Sequence, residues 1–393
     1  MKGLSRIVKL ANPAPALAGP KGKVVQVRTT RQLFAAVAAA GAGTTVMLAP
    51  GTYDVHNLTV AKDRITLCGK GGDREKVILD GGGRFARMIV VRGAKDLTVA
   101  DLTMRNCRQY GIFMLGDSGV RRMNVYNVKF HNIWTRAVKG THPARIDDSA
   151  TRLNSLARVK RVRPVGGSIR HCLFVNDRVK PYPDSFNGDY VSGIDMMWLK
   201  DWVIADNVFV GIRGRNGHAR GAIFVWIHSE NVVAERNVFF NCDRAIAFGN
   251  PTGERPHMID GIIRNNFIVG GVYRALELES TRGLKVYSNS IWATQRVFPA
   301  VSFDHGSAGA KFYNNLVHGW IFSFGAIAKS NNLMGNLSGY FACPAEGDLH
   351  LTGGAAEALG RGKPLPEVAD DFDGRPRSAR PDIGAHESGL GRK

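Results

Sequence analysis

The stretch ALELES, residues 275–280, carries two carboxylates at alternate positions. Alternation with a period of two is typical of a β-strand, so Glu277 and Glu279 should share one face and the leucines the other. Two neighbouring carboxyl groups repel unless they share a proton, bind a cation or meet a basic side chain. Three interpretations are therefore open: an acid and nucleophile pair, a Ca²⁺ site, or simple neutralisation by Arg274 and Arg282.

A second pair of charges, Lys139 and Asp195, occupies the corresponding position in two other segments, AVKGT and GIDMM. Lys139 is the only basic residue among these outward positions, which makes it the candidate general base or charge neutraliser. An adjacent Asp195 should raise the pKa of the lysine and make it a poorer base. A purely structural ion pair is the alternative.

These segments belong to a repeat that asparagines mark along the chain. Segments such as IADNVFV and AERNVFF share an asparagine followed by apolar and small residues at alternate places, with spacings of 17 to 30 residues. The shared positions are Asn207, Asn237, Asn266, Asn289, Asn315 and Asn332. Repeats of about this length, with short β-segments and polar turns, predict a parallel β-solenoid. The asparagines should stack as a structural ladder at one corner.

A second strand follows in each repeat and predicts a binding surface. Seven segments between residues 111 and 304 begin with Gly or Ala, and their second and fourth residues are mostly apolar and should face inward. The outward third positions are Phe113, Lys139, Asp195, Phe224, Ala247, Glu277 and Ser302. The outward fifth positions are Leu115, Thr141, Met197, Trp226, Gly249, Glu279 and Asp304. Along these two columns, a lysine and an aspartate are followed by aromatic residues, then small residues, then carboxylates. This order indicates a binding floor, because a face that only contacts solvent should carry scattered polar residues.

Two insertions, residues 141–164 and 177–192, interrupt the repeat close to Lys139 and Asp195. Both should wall the same end of the floor, since loops on a rigid scaffold commonly carry binding residues. The first insertion is basic and contains Arg145, Arg152, Arg158, Lys160, Arg161 and Arg163. The residues expected to bind substrate are Arg136, His142, Arg220, Phe224, Trp226, His228, Arg244 and Asp304.

The charge of the chain indicates an anionic partner. Lys and Arg number 53 against 33 Asp and Glu, which gives a net charge of +20. No RNA- or DNA-binding motif accompanies the charge, so a nucleic-acid partner is not expected. No apolar run is long enough to span a membrane. The five cysteines form no CxxC pair and are expected to be free, buried thiols.

The two ends of the chain differ from the repeat. TRQLFAAVAAAG, residues 30–41, predicts a short amphipathic capping helix with Thr30 as its N-cap, which would cover the first strand edge. Residues 1–23 are expected to be a leader or tail and residues 388–393 a tail. The leader has a basic start, but Pro13 and Pro15 break its apolar part, so it is a poor signal peptide. A secreted or periplasmic location is expected.

The helix followed by LAPGTY, the asparagine repeats and the closing DFDGRP…PDIGAHE resemble bacterial right-handed parallel β-helix repeat proteins of the pectate-lyase-like superfamily. The resemblance covers nearly the whole chain, and implies an all-β, single-domain right-handed parallel β-helix over residues 24–387. Its motifs are specific for the fold and weak for chemistry. The catalytic motif series of polygalacturonases and of β-helical alginate and chondroitin lyases are absent, so no catalytic residue is transferred from those enzymes.

Taken with the charged floor, the resemblance implies a monomeric protein that binds an acidic, uronate-containing polysaccharide and cleaves it by β-elimination. The candidate catalytic residues are Lys139, Asp195, Glu277 and Glu279. No cofactor is firmly implied, and Ca²⁺ is the one left open. The alternatives are a glycoside hydrolase using Glu277, Glu279 and Asp304, or a non-catalytic polysaccharide-binding surface protein.

Overall fold

Each coil of the chain turns at a residue in the left-handed conformation. The computed structural model describes residues 3–141, 151–182, 189–253 and 255–390, with side chains from residue 157 onward in the second of these segments. Immediately before each ladder asparagine, one residue has φ between 48° and 58° and bends the backbone from one strand into the next. These residues are Asp206, Arg236, Asn265, Ser288, Asn314 and Asn331.

The predicted asparagine ladder is confirmed. Each side-chain Nδ2 donates to Oδ1 of the next asparagine at 2.9–3.2 Å, from Asn207 through to Asn332. The Nδ2 groups also donate to main-chain carbonyls, as Asn266 does to Ala234 O at 3.0 Å. Because buried amides are stable only when hydrogen-bonded, this repetition fixes the corner of every coil.

The larger sheet contains two parallel ladders of strands that meet at this corner. Its 21 strands are Val24–Val27, Thr45–Leu48, Gly51–Asp54, Thr66–Gly69, Val77–Asp80, Thr98–Cys107, Asn124–Ile133, Ser168–Arg170, Leu173–Val175, Val203–Ala205, Val208–Val210, Val233–Glu235, Val238–Cys242, Ile262–Arg264, Phe267–Gly270, Lys285–Tyr287, Ser290–Trp292, Lys311–Tyr313, Leu316–His318, Ala328–Ser330 and Leu333–Gly335. Inside the coil, Phe130, Phe174, Phe209 and Phe239 stack with ring centroids 4.5–4.9 Å apart.

The third side of the coil is a ten-stranded parallel sheet, here called the floor sheet. Its strands are Leu58–Val60, Arg87–Val91, Tyr110–Met114, Arg136–Gly140, Ser192–Met197, Gly221–Trp226, Ile246–Phe248, Leu276–Glu279, Val301–Asp304 and Ile321–Ser323. Their inward residues, such as Ile194 and Leu276, are fully buried in the core. The predicted all-β parallel solenoid is confirmed.

The N-terminal edge of the solenoid is covered by the helix Thr30–Ala39, which buries Leu33 and Val37. Its N-cap is Thr29, whose side chain accepts a hydrogen bond from Gln32 N at 3.2 Å. The prediction that Thr30 caps the helix was wrong by one residue, because the extended residue that precedes the first helical turn supplies the cap. Short helix Leu4–Val8 lies against the outside of the coil and buries Ile7.

The remaining elements are short. A three-stranded parallel sheet contains Ser229–Glu230, Met258–Ile259 and Thr281–Arg282, and the antiparallel strands Phe341–Cys343 and Asp348–Leu351 pack outside the coil. Helix Thr151–Val162 lies in the first insertion, and 3-10 turns occur at Pro344–Glu346 and Gly353–Ala355. Among the described helices, none has the length and apolar character needed to cross a membrane. All five cysteines are free, and three of them are buried.

Candidate functional site

The outward columns of the floor sheet have the register that the sequence predicts. The third-position column runs through Phe113, Lys139, Asp195, Phe224, Ala247, Glu277 and Ser302. In the fifth-position column the paired residues are Met197 with Trp226 and Glu279 with Asp304. Alternating side chains on stacked strands therefore assemble one continuous surface from residues far apart in the chain.

The candidate catalytic residues form two separate centres on this surface. Lys139 and Glu277 are four strands apart in the register, which is ~19 Å at the usual spacing of paired strands. Lys139 and Glu277 therefore cannot both contact the bond of the substrate that reacts. We call Arg136, Lys139 and Asp195 the basic centre, and Glu277, Glu279 and Asp304 the acidic centre.

In the basic centre, Asp195 is buried and surrounded by donors. Its Oδ1 accepts from Lys139 Nζ at 2.9 Å and from Trp226 Nε1 at 3.2 Å, while its Oδ2 pairs with Arg136 Nε. Burial alone would raise the pKa of Asp195, but the charges of Lys139 and Arg136 hold it below its usual value. Asp195 is therefore ionised at neutral pH.

Burial has the opposite effect on the lysine. Desolvation lowers the pKa of Lys139, and the attraction of Asp195 does not compensate because Arg136 repels the ammonium. The predicted effect of Asp195 is confirmed in direction, since its carboxylate does raise the pKa of Lys139, but burial outweighs it and the net pKa lies below the usual value, so the expectation of a poorer base was wrong. A lysine of this kind can lose its proton more readily than an exposed one and suits a general base.

Arginines border a shallow depression next to the basic centre. Tyr190, from the second insertion, lies between Arg136 and Arg220, whose guanidinium carbons are 4.8 and 5.1 Å from the ring centroid. Among the described residues, Arg220 Nε has no hydrogen-bond partner. The depression is lined by Arg220, Phe224, Arg244, Ala247, Gly249, Asn250, Pro251 and Glu277.

The aromatic platform expected at Phe224 and Trp226 is only partly open to solvent. The two rings stack with centroids 5.0 Å apart, but Phe224 is 2% exposed and lies beneath its neighbours. Trp226 is half-buried and supplies the accessible ring. Phe224 thus supports the wall of the depression, and only Trp226 of the two expected sugar-binding rings is open to solvent.

The neighbouring carboxyl groups of the acidic centre have different surroundings. Arg244 Nε pairs with Glu277, and the guanidinium also donates to Ala219 O at 2.6 Å and lies 4.0 Å from the ring centroid of Tyr273. Burial and the nearby Glu277 raise the pKa of Glu279 to about 8. At neutral pH Glu279 therefore keeps its proton, beside a Glu277 that is paired with Arg244.

Neither Arg274 nor Arg282 makes the expected ion pair with these carboxylates. Arg274 Nη1 donates to Ser302 Oγ at 3.1 Å, and Arg274 only partly offsets the rise in the pKa of Glu279. Glu279 is 1% exposed, and its Oε2 has no hydrogen-bond partner among the described residues. The arginine that pairs with this centre is Arg244, from the preceding coil, and His305 Nδ1 lies 3.4 Å from Glu279 Oε2. The ion pairs expected from sequence neighbours are therefore replaced by partners from adjacent coils.

The acidic centre does not fit Ca²⁺. This cation takes six to eight oxygen ligands, usually with several ionised carboxylates. Glu277 is already paired with Arg244, and His305 Nδ1 lies 3.4 Å from Glu279 Oε2. Asp304 is only half-buried, and its Oδ1 accepts from His305 N at 2.8 Å.

The insertions flank the floor at the basic centre. In the first, Val159 packs against Trp198 and Ile227 at the ends of two floor strands. Arg158, Lys160 and Arg161 are exposed there, whereas Arg163 is buried and donates to Glu230 Oε2 at 2.7 Å. Arg163 therefore has a structural role and is not free to bind a polyanion.

Another predicted binding residue, His228, does not line the depression. His228 lies on the turn after the strand Gly221–Trp226, with its ring 4.5 Å from that of Trp198. His142 lies outside the described residues. Sequence reasoning also missed Tyr190, which contacts Arg136 and Arg220, and Tyr273, which contacts Arg244 and Arg274. In the sequence, each is only an aromatic residue shortly before a predicted strand, a pattern too common in loops to indicate a site.

A further cluster of possible metal ligands lies outside the floor, at His350, Asp373 and His386. His386 Nδ1 accepts a hydrogen bond from Leu351 N at 3.0 Å, so its remaining nitrogen carries the proton and cannot ligate. His350 contacts Asp348 and Asp373, and these carboxylates outweigh burial and raise its pKa to about 9. The cluster is a partly buried ion-pair network that fastens the C-terminal segment.

Comparison with solved structures finds the same architecture at low sequence identity. Pectate lyase Pel9A matches with a TM-score of 0.60 and 12% identity over 90% of each chain. Endopolygalacturonase I from Stereum purpureum matches at 0.49 and 13% over 79% of this chain and 99% of that chain. PfbA, a surface adhesin of Streptococcus pneumoniae, matches at 0.45 and 12%, over 79% and 86%.

No protein-family model and no curated protein matches the sequence. At these identities the likeness shows the fold alone. The stacked parallel sheets described above are those of a β-helix. By its fold, the chain is a right-handed parallel β-helix protein, similar in architecture to pectate lyase Pel9A.

Proposed function

We propose that the protein binds an acidic, uronate-containing polysaccharide across the floor sheet and cleaves it by β-elimination. The observation that carries the proposal is the pair of guanidinium groups, Arg220 and Arg244, at one shallow depression beside the ring of Trp226. Arginine forks pair with carboxylates in two parallel hydrogen bonds, and aromatic rings pack against the C–H faces of sugars. Among the described residues, Arg220 makes no ion pair that would compete with a ligand.

The basic centre supplies the residue for proton abstraction. Lys139 Nζ reaches the Asp195 strand, one strand spacing, ~5 Å, from Phe224 at the depression. In β-elimination a base removes the proton α to the sugar carboxylate, the C–O bond of the glycosidic link breaks, and a carbon–carbon double bond forms. The leaving oxygen takes up a proton, so no external oxidant or reductant is needed. Arginines next to the substrate carboxylate stabilise the developing negative charge.

The second candidate function is glycoside hydrolysis at the acidic centre. The observation that favours it is Glu279, which keeps its proton at neutral pH, next to Glu277, which is paired with Arg244, since hydrolysis requires an acid and a second carboxyl group. Glu279 is nearly inaccessible, so in this mechanism Glu277, which lines the depression, would have to contact the sugar.

Two parallel assays on uronate polymers distinguish these functions. Elimination produces an unsaturated uronate with new ultraviolet absorbance, whereas hydrolysis releases reducing ends without that absorbance. We expect the ultraviolet absorbance and the number of reducing ends to rise together, as elimination requires. Reducing ends alone would support hydrolysis, and binding with neither signal would support a non-catalytic binding protein. Such a polymer is extracellular material, in keeping with the secreted or periplasmic location expected from the sequence.

A further inference from the structure

Exposed aromatic side chains are confined to one short stretch of the described chain. Among the described Phe, Tyr and Trp residues, the exposed ones are Trp320, Phe322 and Phe324, at 43%, 38% and 79%. We call these three residues the aromatic row. Large apolar groups grouped on a surface mark a binding site more often than single ones do.

The aromatic row continues the floor sheet beyond the acidic centre. Phe322 pairs in register with Ser302, the last residue of the third-position column. Phe324 N donates to Phe303 O at 3.0 Å, which places Phe324 next to Asp304 in the fifth-position column. Ser323, between them, pairs with the buried Phe303 and faces inward. The row therefore belongs to the same outward surface as the depression.

The rings lie in a line along the last strand. Alternate residues of a strand lie ~6.7 Å apart on one face, so three rings form a belt roughly 13 Å wide. The indole of Trp320 is fixed because its Nε1 donates to Arg296 O at 3.1 Å. A sugar chain that crosses the strands from the depression meets this belt at the last coil, where the C–H face of a sugar unit can stack on a ring.

The same edge is poorly suited to a second copy of this chain. Lys329 pairs in register with the core residue Phe312 and therefore occupies an inward position on the last coil, where it is exposed. An inward-pointing lysine at a terminal strand opposes the addition of further strands. Asp304 and His305 place polar groups directly beside the rings.

We infer that the aromatic row is a subsite that binds sugar units of the polysaccharide beyond the acidic centre. The inference rests on the proposed function for the identity of the polymer. The subsite contributes affinity by stacking, without a charged contact, so it acts on long chains that span from the depression to the last coil. Short oligosaccharides that fill only the depression do not reach it.

The test compares the parent with the triple variant Trp320→Ala/Phe322→Ala/Phe324→Ala in calorimetric titrations with long and short uronate oligosaccharides. Each lost stacking contact removes a modest amount of binding energy, so long oligosaccharides should bind the variant roughly tenfold more weakly. Short ones should bind both proteins equally. Met334→Ala is the matched control, since Met334 is 45% exposed on the last coil but belongs to the other sheet. It should bind like the parent.

A second readout uses the fluorescence of Trp320. Long oligosaccharides should protect the parent from acrylamide quenching more than short ones, which shield only Trp226 at the depression, and this extra protection should be absent in Trp320→Phe, which keeps a stacking ring. Equal long-chain affinity in parent and triple variant, or no extra protection by long oligosaccharides, would overturn the subsite while leaving the proposed function standing. Ring-dependent binding of a neutral polysaccharide alone would support the row and refute the proposed function. If the parent sediments as a dimer and the triple variant as a monomer, the row is a protein interface and the inference is wrong.

Discussion

Lys139 depends on its neighbours for any role as a base. Burial lowers its pKa, while Asp195 holds the side chain in place. Lys139→Ala should reduce the rate of elimination by about 10²–10⁴-fold, as loss of a general base usually does. In the parent, the rate should rise with pH and level off below the usual pKa range of lysine. Measuring the rate of unsaturated-product formation as a function of pH tests both the loss of activity in Lys139→Ala and the pH dependence of the parent.

Lys139→Arg is the control because it keeps the positive charge beside Asp195 but cannot release a proton near neutral pH. It should melt like the parent and remain inactive. Full activity in either folded variant would remove Lys139 from the mechanism. If Glu277→Gln were then inactive, the acidic centre would be the site of reaction.

Glu279 should make stability depend on pH. Its folded pKa of about 8 lies above its unfolded value, so between these values the folded state binds more protons than the unfolded state. Stability therefore falls as pH rises through about 8, by an amount on the order of a few kcal/mol. Glu279→Gln cannot ionise, so denaturant unfolding at pH 6 and pH 9 should show a smaller difference. Glu357→Gln, on the surface, should behave like the parent.

At the scale of elements, the asparagine ladder should contribute strongly to stability. Asn266 donates to Asn289, Ala234 and Arg264, and its Oδ1 accepts from Asn237 N and Nδ2. Asn266→Ala leaves several buried groups without partners and should cost about 3 kcal/mol or more. Chemical denaturation measures this.

The matched control is Asn332→Ala at the end of the ladder, where the residue is only half-buried. Water can replace part of its hydrogen bonding, so the loss should be clearly smaller. Equal losses at both positions would show that burial does not determine the strength of the ladder.

The helix of the first insertion should contribute to polyanion binding through charge alone. Replacing Arg158, Lys160 and Arg161 by Ser should weaken binding of a uronate polymer and reduce its dependence on salt, because exposed charges are screened within ~8–10 Å. The melting temperature should not change, since all three side chains are exposed. Arg163→Ser should instead lower it, because Glu230 then loses its buried partner. Unchanged polymer binding by the triple variant would exclude the helix from the site.

At the scale of the whole molecule, buried titrating groups should produce a stability maximum near pH 6.5. Desolvation lowers the pKa of His257 and of His386 to about 4, so the folded state rejects these protons and gains stability as pH rises to about 6.5. Above that pH, Glu279 and His350 reverse the trend, because both have raised pKa values and lose stabilising protons. Calorimetric melting temperatures from pH 4 to pH 10 measure the curve.

His350→Gln tests the alkaline side of that curve. It removes a cation that Asp348 and Asp373 stabilise, so the variant should melt lower than the parent at pH 6. The difference should shrink above about pH 9, where the parent histidine is neutral. A difference that stays constant with pH would mean that packing, rather than charge, explains the effect.

The sequence by itself determined the coil, the ladder and the register of the outward columns. These features depend on local regularities: side chains alternate with a period of two, and a buried asparagine requires the same partner in every repeat. Positions such as Lys139, Asp195 and Glu277 could therefore be placed on one face without knowledge of the fold's details. The Thr29 cap shows the limit of this reasoning, since boundaries are read to within a residue or two.

Only the tertiary structure decided which of those outward residues reach solvent and which charges pair. Phe224 and Glu279 face away from the core and are nevertheless buried. The partner of Glu277 is Arg244, 33 residues earlier, rather than the adjacent Arg274. Protonation and ion pairing depend on the local access of water and on the nearest charges in space. Neighbouring coils and the insertion loops control the access of water and supply the nearby charges. Because they come from distant parts of the chain, local sequence patterns do not reveal them.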